Sequence, residues 1–292
     1  MSDRHLRYIV YAPSYDENSG GNIFLHQLVS ILRSLGEEAV FWPMGESNHT
    51  DVRRLFRRKR SFRTLPHIQD AQAKPWHLKE KRSVVVYPEV TFGNPLGVEN
   101  VIRWFLYQPG KLHPFEFGPN DMFFRVDEMS DILEITGGAP DLFVWKANPV
   151  YQNQNRPDRK GLCFIVRKHG DKPRIPETQT QSAVQIDGMD HAEINEVFNR
   201  CQTFVSYDDA TMYSQYAAIC GCDSVVVPDA YPSRAAWTAS HAVARYGIAY
   251  GFADLDHARA TRHKTKELLL ELERKGIESV KSFITLTRAR FK

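Results

Sequence analysis

RYIVYAPSYDENSGGNIFLHQLVSILRSLGEEAVFWP, residues 7–43, is the stretch that decides the fold. A β-branched and aromatic run comes first, followed by a polar loop with two glycines and then by apolar residues at helical spacing. Gly36 ends that helix, and EEAVFWP supplies a second strand. A strand, a helix and a strand in this order predict a βαβ unit, and therefore a parallel sheet.

Further runs of the same kind follow along the chain. The predicted strands of the first half are SVVVYPE (83–89), NVIRWFLYQPG (100–110), DMFFRVD (121–127) and DLFVWKA (141–147). In the second half, strands and helices alternate as GLCFIVRKHG (161–170), HAEINEVFNRC (191–201), TFVSYDD (203–209), TMYSQYAAICG (211–221) and SVVVPD (224–229). A long amphipathic helical pattern then runs from about residue 257 to residue 291.

The polar stretch QNQNRPDRK, residues 152–160, is the best linker in the chain. A length of 292 residues exceeds the usual size of one hydrophobic core, so two domains are expected. Alternating strands and helices on both sides of the linker indicate doubly wound sheets. The predicted fold is α/β, with two Rossmann-like domains (residues 1–155 and 156–292), a cleft between them and a long C-terminal helix.

Several classes of protein are disfavoured by composition. No run approaches the ~18 to 20 apolar residues of a membrane-spanning helix, and the N-terminus lacks the apolar stretch of a signal peptide, so a cytoplasmic protein is expected. The cysteines show neither CxxC nor CxxH spacing, which favours buried free thiols over zinc ligands. These cysteines are Cys163, Cys201, Cys220 and Cys222.

The net charge of +3 is too small to indicate a nucleic-acid partner, but its distribution is uneven. Seven basic side chains lie from Arg53 to Arg63, with Phe56 and Phe62 among them. Such a stretch is most often a solvated surface. It is also a candidate for peripheral association with the anionic inner face of a membrane.

Ligands of open parallel sheets bind beyond the carboxyl ends of the strands. After the first strand come Asp16, Gly20 and Gly21, and the two glycines would let a phosphate or a sugar approach the N-terminus of the helix, unless they only form a tight turn. Glu89 also lies at a strand end, where it could bind neighbouring backbone instead. Either Glu89 or Asp16 is the candidate general base, and His26 is expected to be a packing residue.

Two cations, Arg167 and Lys168, follow the first strand of the second half. They could neutralise a diphosphate and stabilise it as a leaving group, or they could mark a solvated strand end. The acidic doublets of the chain are too few to indicate a metal site, so no metal is predicted.

Residues 186–229, IDGMDHAEINEVFNRCQTFVSYDDATMYSQYAAICGCDSVVVPD, resemble the nucleotide-binding lobe of GT-B glycosyltransferases. Residues 7–43 are similar to the opening of the same fold. Residues 84–110, VVVYPEVTFGNPLGVENVIRWFLYQPG, and residues 246–258, YGIAYGFADLDHA, resemble glycosyltransferases that act on bacterial surface polysaccharides. The resemblance covers most of the chain.

The resemblance also implies roles for single residues. Many retaining members carry two glutamates ahead of a glycine, the first meeting the transferred sugar and the second the ribose. Counted back from Gly221, the first position holds Asp208, which is also an acidic residue. The second position holds Tyr216, which is not acidic and departs from the pattern. The loop with Gly188 and Met189 would meet the base. Thr211 would lie near the phosphates, or would serve only as a helix N-cap.

The implied activity is the transfer of a sugar from a nucleotide-sugar donor, of UDP or GDP type, to a glycan or lipid-linked acceptor. The resemblance implies neither a metal nor any other cofactor. Two alternatives share the fold. One is a nucleotide-sugar epimerase, and the other is a non-catalytic subunit that binds a nucleotide or a polysaccharide.

Overall fold

The computed structural model describes residues 5–44, 62–111, 113–167 and 172–291. Contacts within the chain divide it into two compact units. Unit 1 is Met1–Lys146 with Glu273–Lys292, and unit 2 is Ala147–Leu272. Each unit is built on one five-stranded sheet whose paired strands are all parallel. The predicted α/β class with two Rossmann-like sheets is therefore confirmed.

The sheet of unit 1 has the strand order β2-β1-β3-β4-β5. Its strands are β1 (Arg7–Ala12), β2 (Glu38–Pro43), β3 (Ser83–Pro88), β4 (Asn100–Phe105) and β5 (Met122–Arg125). Its helices in the first part of the chain are α1 (Gly20–Ser34) and α2 (Leu133–Thr136), with short 3₁₀ turns at Pro66–Ile68, Pro75–Lys79 and Glu128–Ser130. Strands β1 to β4 are buried on both faces, which explains their nearly continuous apolar runs, whereas the edge strand β5 is only half-buried.

The core of unit 1 is closed by residues from both ends of the chain. Leu25, Leu28, Val29 and Leu32 recur at helical spacing on α1 and are all buried in it. The last helix of the chain adds Val280, Phe283 and Ile284 to the same cluster. The second half of that helix therefore belongs to unit 1.

The sheet of unit 2 has the order β10-β9-β8-β6-β7. Its strands are β6 (Leu162–Ile165), β7 (Val184–Gln185), β8 (Thr203–Ser206), β9 (Asp223–Val226) and β10 (Ile248–Tyr250). Its helices are α3 (His191–Arg200), α4 (Tyr213–Cys220), α5 (Arg234–Ser240) and α6 (Leu255–Thr261), with 3₁₀ turns at Pro176–Gln179, Ala242–Ala244 and Phe252–Asp254. The final helix α7 (His263–Phe291) has 29 residues and confirms the predicted C-terminal helix.

Local signals set the ends of the helices in unit 2. The side chain of Asp190 accepts a hydrogen bond from the N–H of Glu193, and the side chain of Glu193 accepts one from the N–H of Asp190, which together cap α3. Gly221 ends α4 with a φ of 100°, a left-handed conformation that favours glycine. All four cysteines are buried free thiols, as expected from their spacing.

Two features differ from the sequence-based expectation. The expected division at residue 155 differs from the observed units, because the chain leaves unit 1 after Lys146 and returns to it at Glu273. The prediction of a strand at residues 141–147 was wrong, since this segment makes only one bridge, from Asp141 to Arg125. Beyond that bridge, the carbonyl of Leu142 accepts from the indole N–H of Trp104, and the N–H of Phe143 donates to the hydroxyl of Ser279.

None of the helices in the described part of the chain combines the length and apolarity that a membrane crossing requires.

Candidate functional site

The carboxyl ends of β6 and β8 lie side by side in unit 2. β6 pairs with β7 on one side and with β8 on the other, and Ile165 is aligned with Ser206. Because the chain turns to opposite sides of β6 here, this is the switch point of the sheet, where open α/β sheets bind their ligands. Arg167 and Asp208, each two residues beyond its strand, both lie at this point.

The side chain of Arg167 connects the loops that follow these two strands. Its Nη1 donates to Thr211 Oγ1 at 3.3 Å, and its Nε lies 3.8 Å from Asp208 Oδ2. The guanidinium also lies 5.8 Å from the ring centre of Tyr213. One third of the Arg167 side chain is exposed, so an anion from solvent can reach the cation.

The backbone of Arg167 is held by a residue that sequence reasoning missed. Arg167 has a φ of 50°, which is uncommon for a residue with a Cβ. Asp187 accepts hydrogen bonds from the N–H groups of Val166, at 3.0 Å, and Arg167, at 2.7 Å. Asp187 therefore positions Arg167. The available signal was the Asp-Gly pair at residues 187 and 188, which is typical of a turn.

Asp208 and Thr211 shape the turn that leads into α4. One oxygen of Asp208 accepts from the N–H of Ala210 at 3.0 Å, while the other faces Arg167. Thr211 is buried, and its hydroxyl also accepts from the N–H of Tyr213 at 3.3 Å. The N-cap of α4 is Met212, so the prediction of Thr211 as the N-cap was wrong: its hydroxyl closes the turn just before the helix and contacts Arg167. A role of Thr211 near phosphates stays a prediction.

The other residues predicted for this site are more scattered. Gly188 has a φ of 83° and follows Asp187 in the turn before α3, and Met189 closes that turn through its N–H to the carbonyl of Ile186 at 3.2 Å. Tyr216 is buried and stacks on Tyr151 with ring centres 4.2 Å apart. Its role at a ribose stays a prediction. Lys168 lies outside the described residues.

The switch point of unit 1 lies between β1 and β3, which are aligned at Val10 and Val86. Glu89 directly follows β3 and is buried. Its Oε2 accepts from the N–H of Leu106 at 3.0 Å, so it binds backbone beyond the end of β4. Burial raises the pKa of the Glu89 carboxyl, although hydrogen bonds from backbone N–H groups oppose this effect.

The loop after β1 places its predicted residues differently. Asp16 is exposed, and its Oδ1 accepts from the N–H of Asn18 at 2.9 Å in a local turn. Gly20 and Gly21 are the first two residues of α1. A Cβ on Gly21 would meet the Leu106 side chain at 3.6 Å, so the start of this helix lies beside the segment that binds Glu89.

His26 is fully buried, in keeping with a packing role. Its Nε2 donates to the carbonyl of Pro13 at 2.9 Å, and its ring packs against Phe41 and Phe62. Burial lowers the pKa of His26 to about 4. Phe62 is therefore half-buried and packs against the core here. Residues 53–60 lie outside the described residues, and a membrane contact by them stays a prediction.

Among the residues that the structure describes, no three metal-ligating side chains form a cluster that could hold a metal ion. The described residues of the two sites supply the guanidinium of Arg167, the hydroxyl of Thr211, backbone N–H groups and the carboxylates of Asp208 and Glu89. Such groups bind anions and hydroxyl-rich ligands.

No protein family matches the sequence, and no curated protein matches it significantly. Among solved structures, the chain is similar to the glycosyltransferase SnogD from Streptomyces nogalater, at 10% identity and a TM-score of 0.42, over 97% of this chain and 100% of that chain. It is also similar to MurG from Acinetobacter baumannii, at 9% identity and a TM-score of 0.34, over 97% of this chain and 99% of that chain. Neither likeness is strong enough to identify a function, which therefore has to come from the residues of the two sites.

Proposed function

We propose that the protein is a glycosyltransferase that moves a sugar from a nucleotide-sugar donor to a glycan or lipid-linked acceptor without a metal ion. The observation that carries this proposal is the group formed by Arg167, Asp208 and Thr211 at the switch point of unit 2. The resemblance of residues 186–229 to the nucleotide-binding lobe of GT-B glycosyltransferases supports the same conclusion.

On the donor side, the diphosphate would take the place of Asp208 beside the Arg167 guanidinium. This exchange is easy, because Arg167 Nε and Asp208 Oδ2 are 3.8 Å apart and one third of the Arg167 side chain is in solvent. The Thr211 hydroxyl would donate a further hydrogen bond. Negative charge grows on the diphosphate as the sugar leaves, so a fixed cation stabilises the transition state more than the ground state.

Asp208 and Gly188 have complementary roles in this proposal. Released from Arg167, the Asp208 carboxylate can accept hydrogen bonds from hydroxyl groups of the sugar or the ribose. The turn with Gly188 and Met189 lies next to Asp187 and would contact the base. A uridine or guanosine diphosphate is the donor class that we propose.

On the acceptor side, Glu89 is the better candidate for the general base. Its buried carboxyl has a raised pKa, which brings it closer to the pH at which a base works well. The carboxylate of Asp16 is exposed and closes a local turn. A base of this kind would remove the proton from the attacking hydroxyl of the acceptor.

Nucleotide binding by the full chain tests the donor site. A panel of UDP, GDP, CDP and their sugars is screened by thermal shift, where a ligand at 100 times its dissociation constant adds about 2.7 kcal/mol of stability. Arg167→Ala should weaken binding of the best nucleotide about tenfold or more, because a charged hydrogen bond is lost. Arg156→Ala is the matched control, since Arg156 is similarly exposed in the same unit and pairs with Glu196.

Equal nucleotide affinities of the two variants would refute the assignment of Arg167. Product analysis then separates the classes of function. Release of a nucleoside diphosphate with a glycosylated acceptor supports transfer, and an altered sugar on an intact nucleotide identifies an epimerase. Binding without either product identifies a non-catalytic subunit.

A further inference from the structure

Exposed aromatic side chains gather on the loops that follow neighbouring strands of unit 1. Phe92 follows β3 and is 59% exposed, while Tyr107 and Phe115 follow β4 and are 48% and 38% exposed. We call these three residues the aromatic surface. Several exposed apolar side chains gathered on one part of a surface are typical of a binding site, whereas single ones are not. The aromatic surface has no role in the donor site described above.

Backbone contacts hold the three residues in one neighbourhood. The N–H of Gly93 donates to the carbonyl of Glu116 at 3.2 Å, which joins the segment of Phe92 to the segment of Phe115. The ring of Phe115 lies over Gly110, where a Cβ would be only 2.8 Å from Phe115 Cε1. Gly110 also has a φ of 80°, so a side chain at this position is excluded twice.

A buried ion pair braces these loops from below. Arg103 is fully buried, and its Nε donates to Asp121 Oδ2 at 2.7 Å. The other guanidinium nitrogens donate to the carbonyls of Thr91 and Gly93 in the loop of Phe92. Phe117 lies between this guanidinium, 5.4 Å away, and the stacked ring of Phe115, 4.9 Å away. The ring of Phe115 and the backbone beside Phe92 are therefore held in place before any ligand arrives.

The surface lies beside Glu89. The backbone N–H of Leu106 donates to the Glu89 carboxylate, so Tyr107, the next residue, belongs to the segment that binds the candidate base. The aromatic surface therefore borders the segment that holds the candidate base. The arrangement fits an acceptor that is apolar on its flat faces and rich in hydroxyl groups at its edges.

We infer that the aromatic surface binds pyranose rings of a glycan acceptor, an inference that rests on the proposed function and names its acceptor class. The C–H faces of a pyranose match the electron-rich faces of aromatic rings. An anionic membrane is a poorer match, because its contact needs surplus cations. Here Lys111 is offset in charge by Glu116, and the segment after β5 exposes Glu128 on its 3₁₀ turn and Glu134 on α2.

Direct binding of sugars to the full chain tests this inference without any donor. Neutral hexasaccharides of hexoses and of N-acetylhexosamines serve as probes in saturation-transfer NMR. At least one should receive saturation at its ring C–H protons, and Phe115→Ala and Tyr107→Ala should each weaken its binding about tenfold. Phe252→Ala is the matched control, since Phe252 is 37% exposed in unit 2, and it should bind like the unaltered protein. Melting temperatures show that each variant is folded.

Three results would overturn the inference. They are no saturation of any hexasaccharide, equal binding by all variants, or sedimentation with phosphatidylglycerol vesicles that Phe115→Ala abolishes. The proposed function and the aromatic surface can fail independently of each other. Oligosaccharide binding without any sugar transfer would refute the function and keep the aromatic surface. Sugar transfer with an unchanged acceptor KM in Phe115→Ala and Tyr107→Ala would keep the proposed function and refute the role of the aromatic surface.

Discussion

The stability of unit 1 should depend on pH through a single buried side chain, His26. This residue is fully buried on α1, and its Nε2 donates to the carbonyl of Pro13. Among the described residues, its Nδ1 has no hydrogen-bond partner. A proton added at Nδ1 would therefore be buried and unpaired, which explains why burial lowers the pKa of His26 from 6.5 to about 4.

The sign and the size of the effect follow from linkage. Between pH 6.5 and about pH 4 the unfolded chain binds a proton at His26 and the folded chain does not, so the free energy of unfolding falls as pH falls. Above pH 6.5 both states are neutral and the contribution vanishes. At about 1.4 kcal/mol per pKa unit, the loss is ~2 kcal/mol by pH 5 and ~3 kcal/mol by pH 4.

His26→Gln removes this titration and keeps an N–H that can donate to Pro13. The free energies of unfolding of both proteins are measured in urea at pH 7.5 and pH 5. Tryptophan fluorescence is the readout, since Trp42, Trp76, Trp104 and Trp145 belong to unit 1 and only Trp237 to unit 2. The unaltered protein should lose ~2 kcal/mol more than the variant. Equal losses in the two proteins would refute the buried neutral imidazole.

Three other substitutions address the two sites and the brace of the aromatic surface. Glu89→Gln should keep nucleotide affinity but lower turnover about 100-fold. Turnover by the unaltered enzyme should fall as pH falls through the raised pKa of Glu89. Full turnover in the variant would exclude Glu89 as the base. Arg103→Met should cost unit 1 ~3 kcal/mol or more in urea unfolding by leaving Asp121 unpaired, and a loss below ~1 kcal/mol would contradict this. Asp187→Ala should weaken nucleotide binding about tenfold in calorimetry by freeing the backbone of Arg167, whereas unchanged affinity would show that Asp187 does not position it.

Much of the fold was readable from local pattern. The apolar runs of β1, β3 and β8 and the helical spacing in α1 are properties of consecutive residues, so they identify strands and helices without knowledge of the fold. Parallel order followed from strand–helix alternation. The same rule put Arg167 and Asp208 at one edge of a sheet although 41 positions separate them, because each follows a strand directly.

Two features of the structure that the sequence pattern did not predict involve partners distant in sequence. Residues 141–147 look like a strand because they are apolar, but the Leu142 carbonyl and the Phe143 N–H bind the side chains of Trp104 and Ser279. The second half of α7 joins unit 1 through Val280 and Phe283. No polar linker in the sequence marks the point where the chain passes from unit 2 back to unit 1. Whether the backbone of an apolar run pairs with a strand or with side chains is decided by the segments that pack next to it in the folded protein.

Sequence alone determined the α/β class, the helical end of the chain and the set of cations and acids at strand ends. Tertiary structure alone decided which of them act together. It brought Asp187 to the backbone of Arg167, buried Glu89 while leaving Asp16 in solvent, and turned Phe92, Tyr107 and Phe115 outward. The physical reason is that residue type sets what a side chain can do, whereas burial and hydrogen-bond partners, which arise only on folding, set its pKa and its access to ligands.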